Sequence, residues 1–321
     1  MKIEKIGKIF TPSEHDLIAG PGLFAQSPQV LLRQDGGRRV FFSTRERDAQ
    51  APGKFVSRVS YADFNADLTQ LEGVAHHEVL ARGPLGAFDE HGVFPLNPLP
   101  VDGEVWGYTT GWTRRVSVSV DTGIGLVKST DGGTTFQRHG IGPVLGPSLH
   151  EPFLVGDAFV VRTPEAFRMW YIFGQRWVRE TETSEPDRVY KIAQATSSDG
   201  VHWQKSDGCA VIPDVLGENE CQALPSVVQF EGRYHMVFCY RDVHGFRTDP
   251  TKGYRIGYAW SEDAQTWHRA DEDLPLTGTP GSWDSDMQCY PHLFVMQGQM
   301  YLLYNGNAFG REGFGLAKVV P

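Results

Sequence analysis

The sequence predicts an all-β fold, a single propeller of five blades with four antiparallel strands in each. Three observations carry that expectation: one turn motif recurs at a period well above 40 residues, a strand-opening proline recurs in phase with it, and no segment between strands has the apolar spacing of an amphipathic helix. The 321 residues would by length alone suggest two domains. Divided into five units they give about 64 residues per repeat, so one closed domain over 1–321 is the better reading, with a large β-sandwich as the second architecture.

The turn motif reads Ser129-Thr130-Asp131-Gly132-Gly133-Thr134-Thr135-Phe136, Ser197-Ser198-Asp199-Gly200-Val201-His202-Trp203 and Ser261-Glu262-Asp263-Ala264-Gln265-Thr266-Trp267. Its aspartates are 68 and 64 positions apart, and a further step of 68 back from Asp131 reaches Asp63, expected to be a fourth copy. An aspartate in such a turn accepts backbone N–H groups, and the aromatic packs between sheets, so the motif is structural. Each copy follows a short strand with small residues, as in Ile124-Gly125-Leu126-Val127 and Ile192-Ala193-Gln194-Ala195.

The proline marker is Pro28, Pro95, Pro152, Pro225 and Pro291, separated by 67, 57, 73 and 66 residues. Each opens an apolar run, then a turn, then an aromatic-rich alternating strand such as Met169-Trp170-Tyr171-Ile172. Proline is tolerated where a strand has no ladder donor to lose. The last unit runs out of chain at Pro321 before its fourth strand, and the segment 2–12 resembles the missing piece. The N-terminal segment is therefore expected to complete the C-terminal blade and to remove an exposed sheet edge.

Composition excludes several classes. With 30 basic and 39 acidic side chains and no Lys/Arg tract, neither nucleic acid nor an anionic membrane is an expected partner. No run approaches the roughly 20 apolar residues of a membrane span. Met1–Ile6 alternates charged and apolar residues, which fits a strand and not a signal peptide. Four cysteines without Cys-x-x-Cys spacing fit reduced thiols in a cytoplasmic protein.

In a propeller the innermost strands start at one end of the axial channel, and the second strands return to it. Glu90, Glu220 and Asp286 each stand five residues before a repeat proline, and Glu151 directly precedes Pro152. Four carboxylates from four blades, with Asp89, Asp284 and Glu218 near them, are expected in one cavity, where like charges keep one member protonated. Glycosidic bond chemistry needs such a set: one carboxyl protonates the leaving oxygen, another activates water or stabilises the cationic centre. Second strands end in Arg45, Arg114, Arg176 and Arg241, with Asn305 and Asn307 in the fifth blade. These guanidiniums either grip an anionic ligand group such as a phosphate, a sugar acid or a nucleotide sugar, or pair with neighbouring carboxylates. His91, His150 and His292 also lie at strand starts, without metal-ligand spacing, so no metal is expected. Tyr290, Tyr240, Trp112, Trp177 and Trp283 are candidates for stacking on a sugar ring.

The fivefold repeat, the Glu151-Pro152 step, the Ser-Ser-Asp-Gly-Val-His-Trp turn and the acidic residues before inner strands resemble the five-bladed propeller glycosidase superfamily, which includes glycoside hydrolase families 32, 43, 68 and 130. Phe88-Asp89-Glu90-His91-Gly92-Val93-Phe94-Pro95, Glu220-Cys221-Gln222 and Tyr304-Asn305-Gly306-Asn307 further resemble members associated with bacterial surface-polysaccharide gene clusters. The resemblance implies a carbohydrate partner, with Asp89, His91, His150, Gln222, Asp284, Tyr290, His292 and Asn305 joining the arginines in binding it. Hydrolytic members use an aspartate beside the first-blade proline, and this chain has Ala25-Gln26-Ser27-Pro28 there. Either Glu90, Glu151 or Asp286 supplies the base, or phosphate replaces it as in the family 130 phosphorylases, or the cavity only binds or transfers a sugar. The resulting expectation is a glycoside hydrolase or phosphorylase-like enzyme of polysaccharide metabolism. It would have Glu220 or Glu151 as general acid, Glu90 and Asp286 as base or electrostatic partners, and no cofactor beyond phosphate as cosubstrate. The alternative is a sugar-binding or polysaccharide-assembly protein with the same cavity.

Overall fold

The computed structural model describes residues 1–18 and 20–320, in which five four-stranded antiparallel sheets form the blades of a propeller. From the axis outwards the first blade is Gln26–Leu32, Arg38–Arg47, Phe55–Phe64 and Leu71–Val74. The second is Val93–Val101, Glu104–Arg114, Val120–Ser129 and Gln137–Arg138, and the third is Val155–Arg162, Phe167–Val178, Asp187–Ser197 and Gln204–Lys205. The fourth is Glu220–Phe230, Arg233–Asp242, Arg255–Ser261 and His268–Arg269. In the fifth, Cys289–Met296, Gln299–Asn305 and Phe314–Val320 are completed by the N-terminal strand Lys2–Phe10, paired from Lys2 with Val320 to Phe10 with Phe314. Pro321, where the expected last unit ends, lies outside the described residues.

The turn motif works as its chemistry dictates. Asp263 accepts the N–H groups of Gln265 at 2.8 Å and Thr266 at 2.7 Å, and these backbone bonds hold its carboxyl down at about 2. The motif aromatic then reaches the preceding blade: Phe136 meets Phe41, Trp203 meets Tyr108 and Trp267 meets Trp170, all edge-on with centroids 5.6–5.8 Å apart. One turn thus caps its own blade and packs it on its neighbour. The expected fourth copy is corrected. Asp63 lies in the strand Phe55–Phe64 and holds Arg39 through two 2.8 Å bonds, while Asn65 caps the turn by accepting from the N–H groups of Thr69 and Gln70.

Every inner strand carries a bulge, with two residues facing one on the second strand: Ser27-Pro28, Phe94-Pro95, Asp157-Ala158, Leu224-Pro225 and Tyr290-Pro291. The third-blade marker is therefore Ala158, not Pro152, which lies ahead of the strand that begins at Val155. With that correction the repeat distances become 67, 63, 67 and 66 residues. The residue before the marker is in the left-handed region in four blades: φ is 55° at Ser27, 54° at Asp157, 51° at Leu224 and 55° at Tyr290. Proline fits the next position because the axial edge of an innermost strand has no ladder partner.

The closing blade depends on one glycine. Gly313 has φ +102°, and a Cβ there would stand 1.8 Å from the carbonyl oxygen of Phe10. Gly313→Ala is expected to separate the N-terminal strand from Phe314–Val320, seen as a lower urea midpoint and early proteolytic release of the N-terminal segment.

Candidate active site in the axial funnel

The carboxylates that open the inner strands do not converge on the axis. Glu151 is fully buried within its own blade, 2.7 Å from Lys205 of the outermost strand, and accepts from the Tyr171 hydroxyl at 2.8 Å and Gly208 N–H at 3.0 Å. Glu220, also fully buried, holds outermost-strand Arg269 at 2.6 Å and accepts from Val215 N–H, Leu216 N–H and Gln222 Nε2 at 2.9–3.0 Å. Asp89 takes Arg138 at 2.8 Å, and Asp284 takes Lys5 at 2.6 Å and the Tyr304 hydroxyl at 2.9 Å. Four blades share this latch, in which a carboxylate at or just before the start of the inner strand ties down the base on the outermost strand. Burial disfavours ionisation of Glu220 and Asp284. The hydrogen bonds from Gln222, Val215 and Arg269, and from Lys5, Tyr304 and Thr279, outweigh it and hold both below the ordinary carboxylate range.

The remaining expected acids lie on the rim. Glu90 is half-buried and accepts from Gly86 N–H at 3.0 Å, and Asp286 is exposed and accepts from Ser285 Oγ at 2.8 Å. His91 lies against Trp112 with the rings tilted by 32° and centroids 5.5 Å apart, and burial together with Arg114 lowers its pKa. His150 is exposed, 3.8 Å from Asp207. The arginines divide into two groups. Arg114 pairs with Asp48 of the neighbouring blade at 2.6 Å, and Arg176 bonds Asn219 Oδ1 at 2.8 Å with Glu218 at 3.8 Å. Among the described residues Arg45 donates to the Gln26 amide oxygen, at 3.0 Å, and Arg241 to oxygens of Tyr190, Asp242 and Val243, and neither pairs with a carboxylate.

What does face the axis is the ring of bulge residues, and its one carboxylate is Asp157. Its N–H donates to Thr110 Oγ1 at 2.6 Å and its Oδ2 accepts from Leu224 N–H at 3.3 Å, fixing it between the second and fourth blades. It is 7% exposed. Burial raises its pKa to about 7, against the Leu224 hydrogen bond and the charge of Arg188. The misplaced third-blade marker hid this residue; the even spacing of the other prolines was the signal that would have found it. Beside it Tyr290 meets Phe94 and Tyr254 edge-on, and Tyr254 shares a 2.6 Å hydroxyl contact with Tyr190, which accepts from Arg241 at 3.1 Å. Arg241 is 1% exposed, lies 3.5 Å over the Phe246 ring and leaves its Nε without a partner. Burial and the charge of Arg247 pull Arg45 below its ordinary pKa, against a contribution from Tyr290.

Other expected binding residues are structural supports. Asn305 is buried, accepting from Ser27 N–H at 2.8 Å and donating to Ala25 and Gly313 carbonyls, so it ties the fifth blade to the first. Gln222 belongs to the fourth-blade latch. His292 lies deeper in the channel, 3.3 Å from Ser226 Oγ, and burial pushes its pKa down to about 3, so it is neutral. Among the described residues no three His, Cys, Asp or Glu side chains gather as metal ligands. Two open clefts at the opposite end of the propeller, around Arg233 and His235 and around Arg33 and Asp102, carry no axial groups.

The fold defines a class: it is the five-bladed β-propeller fold that glycosidases and phosphorylases share. Within it, the chain is of one family with the uncharacterized protein Rv1502 of Mycobacterium tuberculosis (strain ATCC 25618 / H37Rv), 33% identical over 321 residues that cover 99% of each chain. A more distant similarity, 26% identity over 143 residues covering 41% of this chain and 45% of the other, is to the beta-1,2-mannobiose phosphorylase of Thermoanaerobacter sp. (strain X514). No protein-family model matches the chain. The fold is similar to that of a thermostable family-43 glycoside hydrolase, at TM-score 0.62 and 14% identity over 92% of this chain and 87% of that one. It is also similar to a structure from the GH130 family, whose glycoside hydrolases target beta-1,2 mannosidic linkages in Candida mannan, at TM-score 0.69 and 13% identity over 99% and 94%.

Proposed function

We propose that the chain is a carbohydrate-active enzyme that breaks or transfers a glycosidic linkage of a sugar bearing, or accompanied by, an anionic group. The observation that carries this is Asp157: one buried carboxyl at the start of an inner strand with a pKa near 7, in a fold whose second strands end in Arg45 and Arg241, neither of them paired with a carboxylate among the described residues. Half-protonated at neutral pH, Asp157 can donate its proton to the leaving glycosidic oxygen as the anomeric C–O bond breaks. Two-carboxylate hydrolysis needs a second acid within about 5–9.5 Å, and Glu151 and Glu220 are committed to Lys205 and Arg269. An anionic cosubstrate such as phosphate, drawn by Arg45 and Arg241, fills that gap by adding an oxygen to the anomeric carbon. The distant likeness to a phosphorylase supports the same route.

Glycosides incubated with and without phosphate test the proposal, with sugar 1-phosphate formed only in its presence as the expected result. One observation favours a second reading: Ser27 stands where hydrolytic relatives carry an aspartate beside the first-blade proline. Measurable affinity for a phosphorylated or acidic sugar, without product over hours under either condition, would establish a binding protein instead. Glu220→Gln and Glu151→Gln are expected to lower the melting temperature while leaving kcat of the folded fraction near wild type. A kcat lost in either variant with stability intact would return these residues to the chemistry. The buried free thiols of Cys221, Cys239 and Cys289 fit a reducing compartment, and a cytoplasmic location is part of the proposal.

A further inference from the structure

We infer that the mouth of the funnel binds a diphosphate, so that the sugar of the preceding proposal arrives as a sugar diphosphate ester; this deepens that reading and rests on it. Four guanidiniums gather at the mouth in two pairs, each pair sharing one aromatic ring. Arg241 and Arg247 lie 3.5 and 4.3 Å from the centroid of Phe246, and Arg45 and Arg311 lie 4.8 and 5.8 Å from that of Phe24. The two pairs meet around Phe309, whose ring is 5.7 Å from Arg247 and whose carbonyl oxygen accepts from Gln26, the residue that also holds Arg45. Among the described residues none of the four has an ion-pair partner, although acidic side chains outnumber basic ones 39 to 30 in the chain. Like charges so gathered repel, Arg241 and Arg45 also lose hydration through burial, and an anion offsets both.

Two further features point to a ligand there. Ser27 Oγ and Arg241 Nε are buried without partners. The loop that brings Phe309 and Arg311 to the mouth is strained, with Ala308 at φ 54° and Phe309 at φ 60°, two consecutive side-chain-bearing residues in the left-handed region. Such strain collects at ligand clamps and active sites. A carboxylate offers one charge and two acceptor oxygens, and a monophosphate fills one guanidinium pair. A diphosphate spans both pairs with two or more charges and acceptors for several forks.

Isothermal titration of the full chain with inorganic phosphate and with pyrophosphate, at one ionic strength, tests this without requiring turnover. Pyrophosphate is expected to bind at least about tenfold more tightly, and Arg247→Ala or Arg311→Ala, both at exposed positions, to lower its affinity by about tenfold while changing that of phosphate little. Equal affinity for the two anions, or a pyrophosphate affinity unchanged in both variants, overturns the inference and leaves the glycoside assay standing on its own. Uridine diphosphate and geranyl diphosphate then distinguish the source: tighter binding of the first assigns a nucleotide carrier, and of the second a lipid carrier.

Discussion

Asp157→Asn is expected to reduce kcat by about 10²–10⁴-fold with the fold intact. In the wild type, if the carboxyl acts as the proton donor, activity declines as pH rises through about 7, the value to which burial raises Asp157. The same shift affects stability with a definite sign. The folded state disfavours the ionised form, so stability is greatest below the ordinary carboxylate pKa and is lost as pH rises from there to about 7. The asparagine variant lacks this loss and is expected to be the more stable protein at pH 8, by up to a few kcal/mol, on the order of 1.4 kcal/mol for each unit of raised pKa. Urea titrations of both proteins at pH 5 and pH 8 check it. Parallel pH dependence in the two would exclude Asp157 as the titrating group, and an unaltered kcat would exclude it as the proton donor.

Asp284→Asn is expected to destabilise the protein by about 1–3 kcal/mol, because the partly covered Lys5 loses its buried counter-charge at the strand that closes the ring. Replacing Lys5 and Asp284 together by methionine and leucine removes both charges, and the double variant is expected to recover much of the loss. Additive losses would mean that Lys5 and Asp284 act independently. The wild-type pH dependence follows from the lowered pKa values of Asp284 and Glu220. Their contribution is present above the ordinary carboxylate range and is lost as pH falls through the folded values, so the latches open in acid. Release of the N-terminal segment to protease as pH falls, measured by mass spectrometry, reports the fifth-blade latch directly.

The blade repeat was legible because its turn must satisfy backbone donors, and only Ser and Asp at a fixed offset, followed by an aromatic, do so in three consecutive blades. The phase of the acids was legible too, but their direction was not. A loop carboxylate can face the axis or the outer strand, and the deciding partner lies 49 residues away in sequence for Asp89 with Arg138 and for Glu220 with Arg269, and 54 for Glu151 with Lys205. A sign of it was present: Arg138, Lys205 and Arg269 each follow the motif aromatic by two positions. Asp157 was hidden by a substitution, since Ala158 holds the place that proline marks in the other four blades. The arginine set was readable as residues, but its division was not, because pairing of Arg114 with Asp48 depends on which blades are neighbours.

The pairing of Lys2 with Val320 joins residues 318 positions apart in the sequence. On a ribosome, the strand Lys2–Phe10 must therefore remain unpaired until Phe314–Val320 has emerged, and a long-lived chain with an open fifth blade is the species that chaperones or aggregation would meet. The same pairing puts both ends of the chain side by side on the face away from the funnel. A circular permutant that joins them and opens the chain in a loop between blades would keep every sheet while turning this slow, long-range step into a local hairpin.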